Sequence, residues 1–144
     1  MEEGKVVGVC ISEKRGTGKV NIGKGYLEKD YGLVGDAHAG TERQVSVLPL
    51  ELIEEVARSH GIDARPGDFA ENITVQGIDF SAIKPGSRLL VGEADLEVIQ
   101  IGKEIDASHT FSFHGLTLLV KSGCFCRVVR SGRVKAGDPV RRLD

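Results

Sequence analysis

Hydrophobic residues fall in short runs or alternate with polar residues along most of the chain, a pattern that predicts short β-strands. The segments that we interpret as strands are 6–11, one or two within 20–27, 43–48, 69–75, 89–91, 94–101, 125–130, 133–135 and 139–143. Gly92 and Glu93 separate two of these segments and are predicted to turn a hairpin. Ser131 and Gly132 are predicted to turn another hairpin as a two-residue loop.

One segment instead has the spacing of a helix. Pro49 stands where its missing N–H loses nothing at a helix start, and Gly61 follows as a stop signal. The apolar residues that recur between them at helical spacing are Leu52, Ile53, Val56 and Ala57. Because parallel strands need a long crossover, one clear helix argues against repeated βαβ units. We therefore predict a mainly β fold, a closed or partly open β-barrel with one or two short helices, in a single domain of residues 1–144.

Composition and charge narrow the classes of function. The 144 residues include 19 glycines, nearly twice the usual share, which suits many tight turns. With 19 basic and 21 acidic side chains the net charge is −2, whereas proteins that track nucleic acid or a membrane surface carry an excess of Lys and Arg. No apolar run reaches the roughly 20 residues that cross a bilayer, and the N-terminal run is too short for a signal peptide. We expect a cytoplasmic protein that binds neither nucleic acid nor membrane.

Three cysteines cannot all pair within the chain, so free thiols in a reducing compartment are expected. Cys124 and Cys126 are two residues apart on a predicted strand, which puts both thiols on one face. Such a pair suits a persulfide carrier or part of a soft-metal site. Two buried cysteines that act as small hydrophobic residues would give the same spacing. Cys10, inside an apolar strand, is predicted to belong to the core.

The stretch 30–42 is long and rich in glycine, and its hydrophobic residues follow neither the period of a helix nor that of a strand. Such a stretch is typical of a functional or a disordered loop. Within it Asp36 can form an Asx turn, and the small residues around His38 leave the imidazole accessible to bind an anion or pass protons. A surface histidine without such a role is the alternative. Arg43 and Gln44 precede the next strand, where an arginine can fork onto a phosphate or carboxylate or remain solvated.

Further polar candidates follow along the chain. Glu71 and Asn72 interrupt an apolar run, which indicates either a polar cavity or a strand with one face in solvent. Lys103, His109 and His114 lie in or beside the segment with the least readable pattern. The generic phosphate-loop, zinc-protease, nucleophile-elbow and paired-cysteine motifs are absent from the sequence.

Five sequence segments, taken together, indicate a protein family far more specifically than any one of them does. In chain order they are GLVGDAHAG, RQVSVLPLE, PGDFAENITVQGID, PGSRLLVGEADLEVIQIGK and FCRVVRSGRVKAGDPV. In this order and spacing they closely resemble a MOSC domain, the module named after the C-terminal part of molybdenum cofactor sulfurases. The resemblance covers essentially the whole chain, which is similar to the small stand-alone bacterial or archaeal members.

The resemblance implies a β-barrel of the kind seen in a pyruvate kinase accessory domain. It also implies handling of the molybdenum cofactor, molybdopterin with its bound molybdenum ion, or of sulfur. Members are thought to accept sulfur as a cysteine persulfide from a pyridoxal phosphate-dependent cysteine desulfurase, or to bind the pterin itself. A desulfurase or a molybdoenzyme is therefore the partner that the family implies, and the resemblance leaves the oligomeric state open.

Carried over onto this sequence, the family motifs fall on a defined set of positions. Gly35, Asp36 and His38 match the GDxH loop, Arg43 and Gln44 match the RQ pair, and Gly67, Asp68, Glu71 and Asn72 match the GDFxEN turn. With Lys103 added, the candidate cofactor-binding residues are Asp36, His38, Arg43, Gln44, Glu71, Asn72 and Lys103. Arg43, His38 and backbone amides would suit an anionic pterin phosphate.

The sequence departs from the family at one position that matters for sulfur chemistry. Many stand-alone members carry a cysteine soon after the IGK phrase, whereas residues 102–106 of this chain read GKEID. The first hypothesis is therefore a sulfurtransferase-like carrier that uses Cys126 or Cys124, partly exposed and with a pKa lowered by Arg127 or Lys103.

Two other hypotheses are retained. One is a non-catalytic module that binds the pterin or a partner enzyme without transferring sulfur. The other is a structural zinc site made by Cys124, Cys126 and either His109 or His114.

Overall fold

The computed structural model describes residues 2–103 and 111–143, which form eleven strands and two α-helices. The strands are β1 (Glu2–Ile11), β2 (Val20–Asn21), β3 (Lys24–Glu28), β4 (Gly32–Leu33), β5 (Val45–Pro49), β6 (Ile73–Gln76), β7 (Arg88–Val91), β8 (Ala94–Ile101), β9 (Cys124–Arg130), β10 (Gly132–Lys135) and β11 (Pro139–Leu143). The helices are α1 (Leu50–His60) and α2 (Leu118–Ser122), and Phe80–Ala82 form a 3₁₀ turn.

Seven of these strands close a β-barrel. They are hydrogen-bonded in the order β1, β6, β5, β9, β8, β7 and β11, and β11 pairs back onto β1. The pair β5 and β6 is parallel and is connected by α1, while the other neighbours are antiparallel. The one long helix thus makes the one crossover that the barrel needs. The predicted mainly β barrel with short helices is confirmed.

The two-residue period of β5 and β9 divides the core into two parts. Val45 and Val47 of β5 and Cys124 and Cys126 of β9 belong to a large apolar cluster that we call the inner core. The alternate side chain Phe125 belongs to a second cluster, the outer cluster, under α1 and α2. The buried members of the outer cluster are Leu48, Ile53, Phe69, Ala70, Leu119 and Phe125.

The hairpin predicted at Ser131 and Gly132 is wrong. The strand β10 does follow β9 directly, but it pairs with β3 in a separate sheet of β10, β3 and β4. The reason is that both edges of β9 are already occupied, one by β5 and the other by β8. With no free edge on β9, the chain has to leave the barrel wall after Ser131.

The strand predicted over 69–75 is shorter than expected and begins only at Ile73. The residues before it form a turn in which Gly67 and Ala70 have φ angles of 93° and 67°. These left-handed conformations interrupt the extended backbone. Glu71 and Asn72 consequently lie between a turn and a barrel strand.

The helices of the described residues are short. Among residues 2–103 and 111–143, no helix is both long and apolar enough to span a bilayer.

Candidate anion-binding cleft

An open cleft lies beside the outer cluster, with about 560 Å³ of empty space when the open solvent at its mouth is included. Three basic and three aromatic side chains line it, those of His38, Arg43 and Lys103 and those of Phe69, Phe111 and Phe125. Ligand pockets in proteins commonly combine apolar walls with a few polar groups in this way. Three of the residues predicted from the sequence to bind a cofactor are thus brought together.

Arg43 places its guanidinium over an aromatic ring, with Cζ 5.7 Å from the centroid of Phe125. Strand pairing brings the two residues close, because Ser46 of β5 lies opposite Phe125 of β9 and Arg43 lies two residues before β5. The residue is exposed, and no carboxylate within the described residues forms an ion pair with it. The guanidinium is therefore held by a cation–π contact with its N–H donors available to an anion.

A buried ion pair supports the loop that carries His38. The side chains of Lys19 and Asp36 are 1% and 0% exposed, and Lys19 Nζ lies 2.7 Å from Asp36 Oδ1. Lys19 Nζ also lies 3.0 Å from Ser12 Oγ and 3.2 Å from His38 Nδ1. The His38 side chain itself is 33% exposed and faces the cleft.

Asp36 organises this cluster from beneath rather than facing a ligand. Its Oδ2 accepts the backbone N–H of His38, and its Oδ1 accepts that of Ser12, both at 3.0 Å. Burial raises the pKa of the Asp36 carboxyl, but the nearby His38 side chain, the hydrogen bond from Lys19 and the charge of Lys19 outweigh it and hold the pKa well below its usual range. Asp36 is therefore ionised and its carboxylate is enclosed, so its predicted direct contact with a cofactor stays a prediction.

Lys19 is the residue that sequence reasoning missed. It lies in a charged, glycine-rich segment and is indistinguishable there from a solvated loop lysine. The signal that could have found it is indirect, since a carboxylate such as Asp36 among small residues requires a cation if it is buried. Spacing alone does not say which cation supplies the charge.

Glu71 and Asn72, which were predicted to bind a cofactor, are both enclosed in the protein, 0% and 1% exposed, and their role as cofactor ligands stays a prediction. Asn72 Oδ1 accepts the backbone N–H of Ser46 at 3.0 Å, and Asn72 Nδ2 donates to the carbonyl of Cys10 at 3.1 Å. Asn72 therefore ties β5 to β1 below the cleft. The turn at Gly67 explains the enclosure, because its N–H donates to Glu71 Oε2 at 3.0 Å.

Gln44 and Lys103 differ in their relation to the cleft. Gln44 Oε1 accepts the backbone N–H of Val128 at 3.1 Å, so this predicted cofactor ligand instead extends the contact between β5 and β9. Lys103 lines the cleft, and its backbone N–H donates to the carbonyl of Val120 at 2.9 Å. The bond to Val120 anchors Lys103 beside α2.

All three cysteines are free and 0% exposed. Cys124 and Cys126 point into the inner core with their sulfur atoms 3.8 Å apart. The hydrogen bond with Cys124 and complete burial raise the pKa of the Cys126 thiol well above its usual value. The expectation of a partly exposed carrier thiol is wrong for both residues, and that of a lowered pKa is wrong for Cys126. Sulfur transfer through either thiol stays a prediction that requires the barrel wall to open. Cys10 is in the core, as predicted.

The described residues do not assemble the hypothetical zinc site. His114 is exposed, with its ring centroid 4.5 Å from that of Phe113, whereas the two cysteines face the barrel interior. Within residues 2–103 and 111–143 no group of three His, Cys, Asp or Glu side chains is arranged to hold a metal ion. His109, the other histidine of that hypothesis, lies outside the described residues.

Solved structures with the same fold include two kinds of bacterial protein. The YuaD protein from Bacillus subtilis is 22% identical to this chain, with a TM-score of 0.76 and 97% of each chain covered. YiiM from Escherichia coli is 22% identical, with a TM-score of 0.69 over 100% of this chain and 70% of that one. YiiM from Geobacillus stearothermophilus is 20% identical, with a TM-score of 0.67 over 98% and 73% of the two chains. At these identities the likeness shows the fold alone.

A search of the curated proteins found no match. The sequence model of the MOSC domain, in contrast, matches residues 34–141, a range that begins within the loop of His38 and ends within β11. The match covers most of the chain and includes Arg43, Lys103 and Phe125 of the cleft. The protein belongs to the MOSC domain family.

Proposed function

We propose that the cleft binds the molybdenum cofactor through its anionic phosphate and its planar pterin. The observation that carries the proposal is the Arg43 guanidinium, stacked on Phe125 without a carboxylate partner in the described residues and beside two further basic side chains. An arginine held in this way gives paired, directional donors to phosphate oxygens. Membership of the MOSC family supports the pterin as the group that carries the phosphate.

The residues of the cleft fit the chemistry of this group. Arg43 and Lys103 would hold the phosphate, and the half-buried Phe111 offers an apolar face to the pterin ring. The molybdenum cofactor, when bound, supplies redox and atom-transfer chemistry at its metal. The protein's own part is binding and orientation, since neither Cys124 nor Cys126 reaches the cleft surface.

The proposal can be tested with a stable pterin phosphate and the same pterin without its phosphate. Arg43→Ala should weaken binding of the pterin phosphate by about tenfold to a hundredfold, because a hydrogen bond to a charged group is worth about 1.5–3 kcal/mol. Binding of the dephosphorylated pterin should change little. Both affinities can be measured by calorimetry or by quenching of pterin fluorescence.

The matched control is Arg58→Ala, which removes an exposed arginine from the last turn of α1, away from the lining of the cleft. Arg58→Ala should leave both affinities unchanged. Equal binding of the pterin phosphate by the wild type and by Arg43→Ala would contradict the proposed site.

A further inference from the structure

The buried ammonium of Lys19 uses all of its hydrogen-bond donors. An ammonium group has three N–H donors and no acceptor. Three atoms lie within hydrogen-bond distance of Lys19 Nζ, namely Asp36 Oδ1, Ser12 Oγ and His38 Nδ1. Lys19 can therefore donate to all three. His38 Nδ1 also lies 3.7 Å from Asp36 Oδ2, which is too long for a hydrogen bond from a protonated Nδ1.

Ser12 and Asp36 are both able to accept. The hydroxyl of Ser12 donates its own hydrogen to the carbonyl of Lys14 at 3.0 Å, which leaves the oxygen to accept from Lys19. Asp36 is ionised and balances the charge of the ammonium.

The third acceptor determines the state of a ring in the cleft. If Lys19 donates to Nδ1 of His38, that nitrogen carries no proton, and the neutral ring has its proton on Nε2. The backbone of His38 is fixed as well, since its N–H donates to Asp36 Oδ2 and its carbonyl accepts from the hydroxyl of Thr41 at 2.7 Å. With Nδ1 turned toward the buried ammonium, Nε2 is the ring nitrogen left for the cleft.

We propose that Lys19 and Asp36 are positioning residues that fix His38 as its Nε2–H tautomer, so that His38 donates a hydrogen bond to the anion in the cleft. This inference rests on the proposed function, because the anion is the phosphate of the bound pterin. His38, Arg43 and Lys103 then all present hydrogen-bond donors to the ligand. The cleft therefore selects groups that only accept hydrogen bonds, such as phosphate oxygens.

The tautomer can be observed without any ligand. Long-range proton–nitrogen correlation spectra of protein labelled with ¹⁵N histidine distinguish a protonated from an unprotonated ring nitrogen, and His38→Gln identifies the His38 signals. We expect Nε2 protonated and Nδ1 unprotonated in the wild type. In the double variant Lys19→Met with Asp36→Asn, which removes both buried charges together, the two tautomers should mix. The control Lys24→Met removes an exposed lysine of β3 and should leave the spectrum unchanged.

A double-mutant cycle separates the positioning of His38 by Lys19 and Asp36 from any effect of these two residues on the charge of the cleft or on folding. The Lys19→Met, Asp36→Asn pair should weaken binding of the pterin phosphate about tenfold in a protein with His38, because the donor is no longer held on Nε2. The same pair of substitutions should weaken binding of the pterin phosphate by less than about threefold in a protein that carries His38→Gln, since a glutamine amide always has N–H donors. Equal losses in both backgrounds would show that Lys19 acts in some other way.

The outcomes distinguish this inference from the proposed function. A wild type that binds the pterin phosphate but has His38 protonated on Nδ1 overturns the inference alone. A wild type that has the Nε2–H tautomer but does not bind the pterin phosphate overturns the proposed function, and with it the role given to the donor.

Discussion

The carboxyl group of Glu71 is completely enclosed, and only one of its two oxygens has hydrogen-bond partners among the described residues. Its Oε2 accepts the backbone N–H of Gly67 at 3.0 Å and the hydroxyl of Thr74 at 2.6 Å, whereas Oε1 has no protein partner among the described residues. Burial raises the pKa of Glu71 above its ordinary value, against the hydrogen bonds from Thr74 and Gly67 that lower it. A folded state with a raised carboxyl pKa binds more protons than the unfolded chain between the two pKa values.

Glu71→Gln should therefore change how stability depends on pH. The stability that protonated Glu71 gives is fully present below the unfolded pKa of about 4.3 and is lost as pH rises through the folded pKa. Glutamine keeps a carbonyl for Gly67 and Thr74 and has no charge to bury. Urea unfolding at a series of pH values should show Glu71→Gln gaining stability relative to wild type as pH rises.

The matched control is Glu54→Gln on the exposed side of α1, which should show no such divergence. A constant difference between Glu71→Gln and wild type across the series would mean that folding does not shift the pKa of Glu71, which would contradict the raised pKa.

The residues of the cleft show what could and could not be predicted from sequence. His38, Arg43 and Lys103 were predicted from residue type and motif, and they do line one cleft. Glu71 and Asn72 were predicted for the same reason and are buried instead. Sequence shows that a position is polar, but whether its partner is a ligand or the protein's own backbone depends on contacts with distant segments.

At the scale of elements, the turn at 65–68 fixes the position of the Lys19 segment. The backbone N–H of Lys19 donates to the carbonyl of Gly67 at 2.9 Å. Gly67 has a φ of 93°, and a Cβ on it would overlap the carbonyl oxygen of Lys19 and lie 3.1 Å from Cys10 Sγ. Only glycine allows this close approach. The turn thereby supports the cluster that orients His38.

Gly67→Ala should therefore destabilise the protein more than Gly86→Ala, which is the matched control. Gly86 has nearly the same φ, 96°, but a Cβ there would meet nothing within 4 Å. Both changes strain a left-handed backbone by about 1 kcal/mol, and overpacking at Gly67 should add about 1–3 kcal/mol. Urea midpoints with unchanged slopes measure the difference, and equal losses would contradict the close packing of the turn on the Lys19 segment.

The elements also show why strand ends were easier to predict than strand partners. Gly92 and Glu93 do turn the predicted hairpin, because β7 and β8 are free to pair with each other. Ser131 and Gly132 carry an equally good local signal, yet β10 pairs with β3. A turn signal is local, whereas the edges available to a strand depend on the whole barrel.

At the scale of the whole molecule, barrel closure should make the three thiols behave as one group. Cys10 lies on β1, and Cys124 and Cys126 lie on β9, all fully buried. Iodoacetamide should modify none of them in the folded protein, and all three at a common rate once global unfolding exposes them. Mass spectrometry of digested samples taken over time gives the three rates separately.

A cysteine placed at an exposed position, Ser59→Cys on α1, provides the reactive control. Modification of Cys126 or Cys124 under native conditions at a rate near that of the control would contradict this expectation. It would also give the sulfur-carrier hypothesis the accessible thiol that it requires.

The pairing of β1 with β11 has a consequence for how the protein is made. Glu2 of β1 lies opposite Arg142 of β11, and their side chains form an ion pair with Arg142 Nε 3.1 Å from Glu2 Oε1. On the ribosome β1 emerges long before β11, so the ring of strands has two unpaired edges until almost the whole domain has been synthesised. Contacts of such long sequence separation also form slowly. The two unpaired edges are therefore exposed to misassembly throughout this interval, which ends only when β11 closes the barrel.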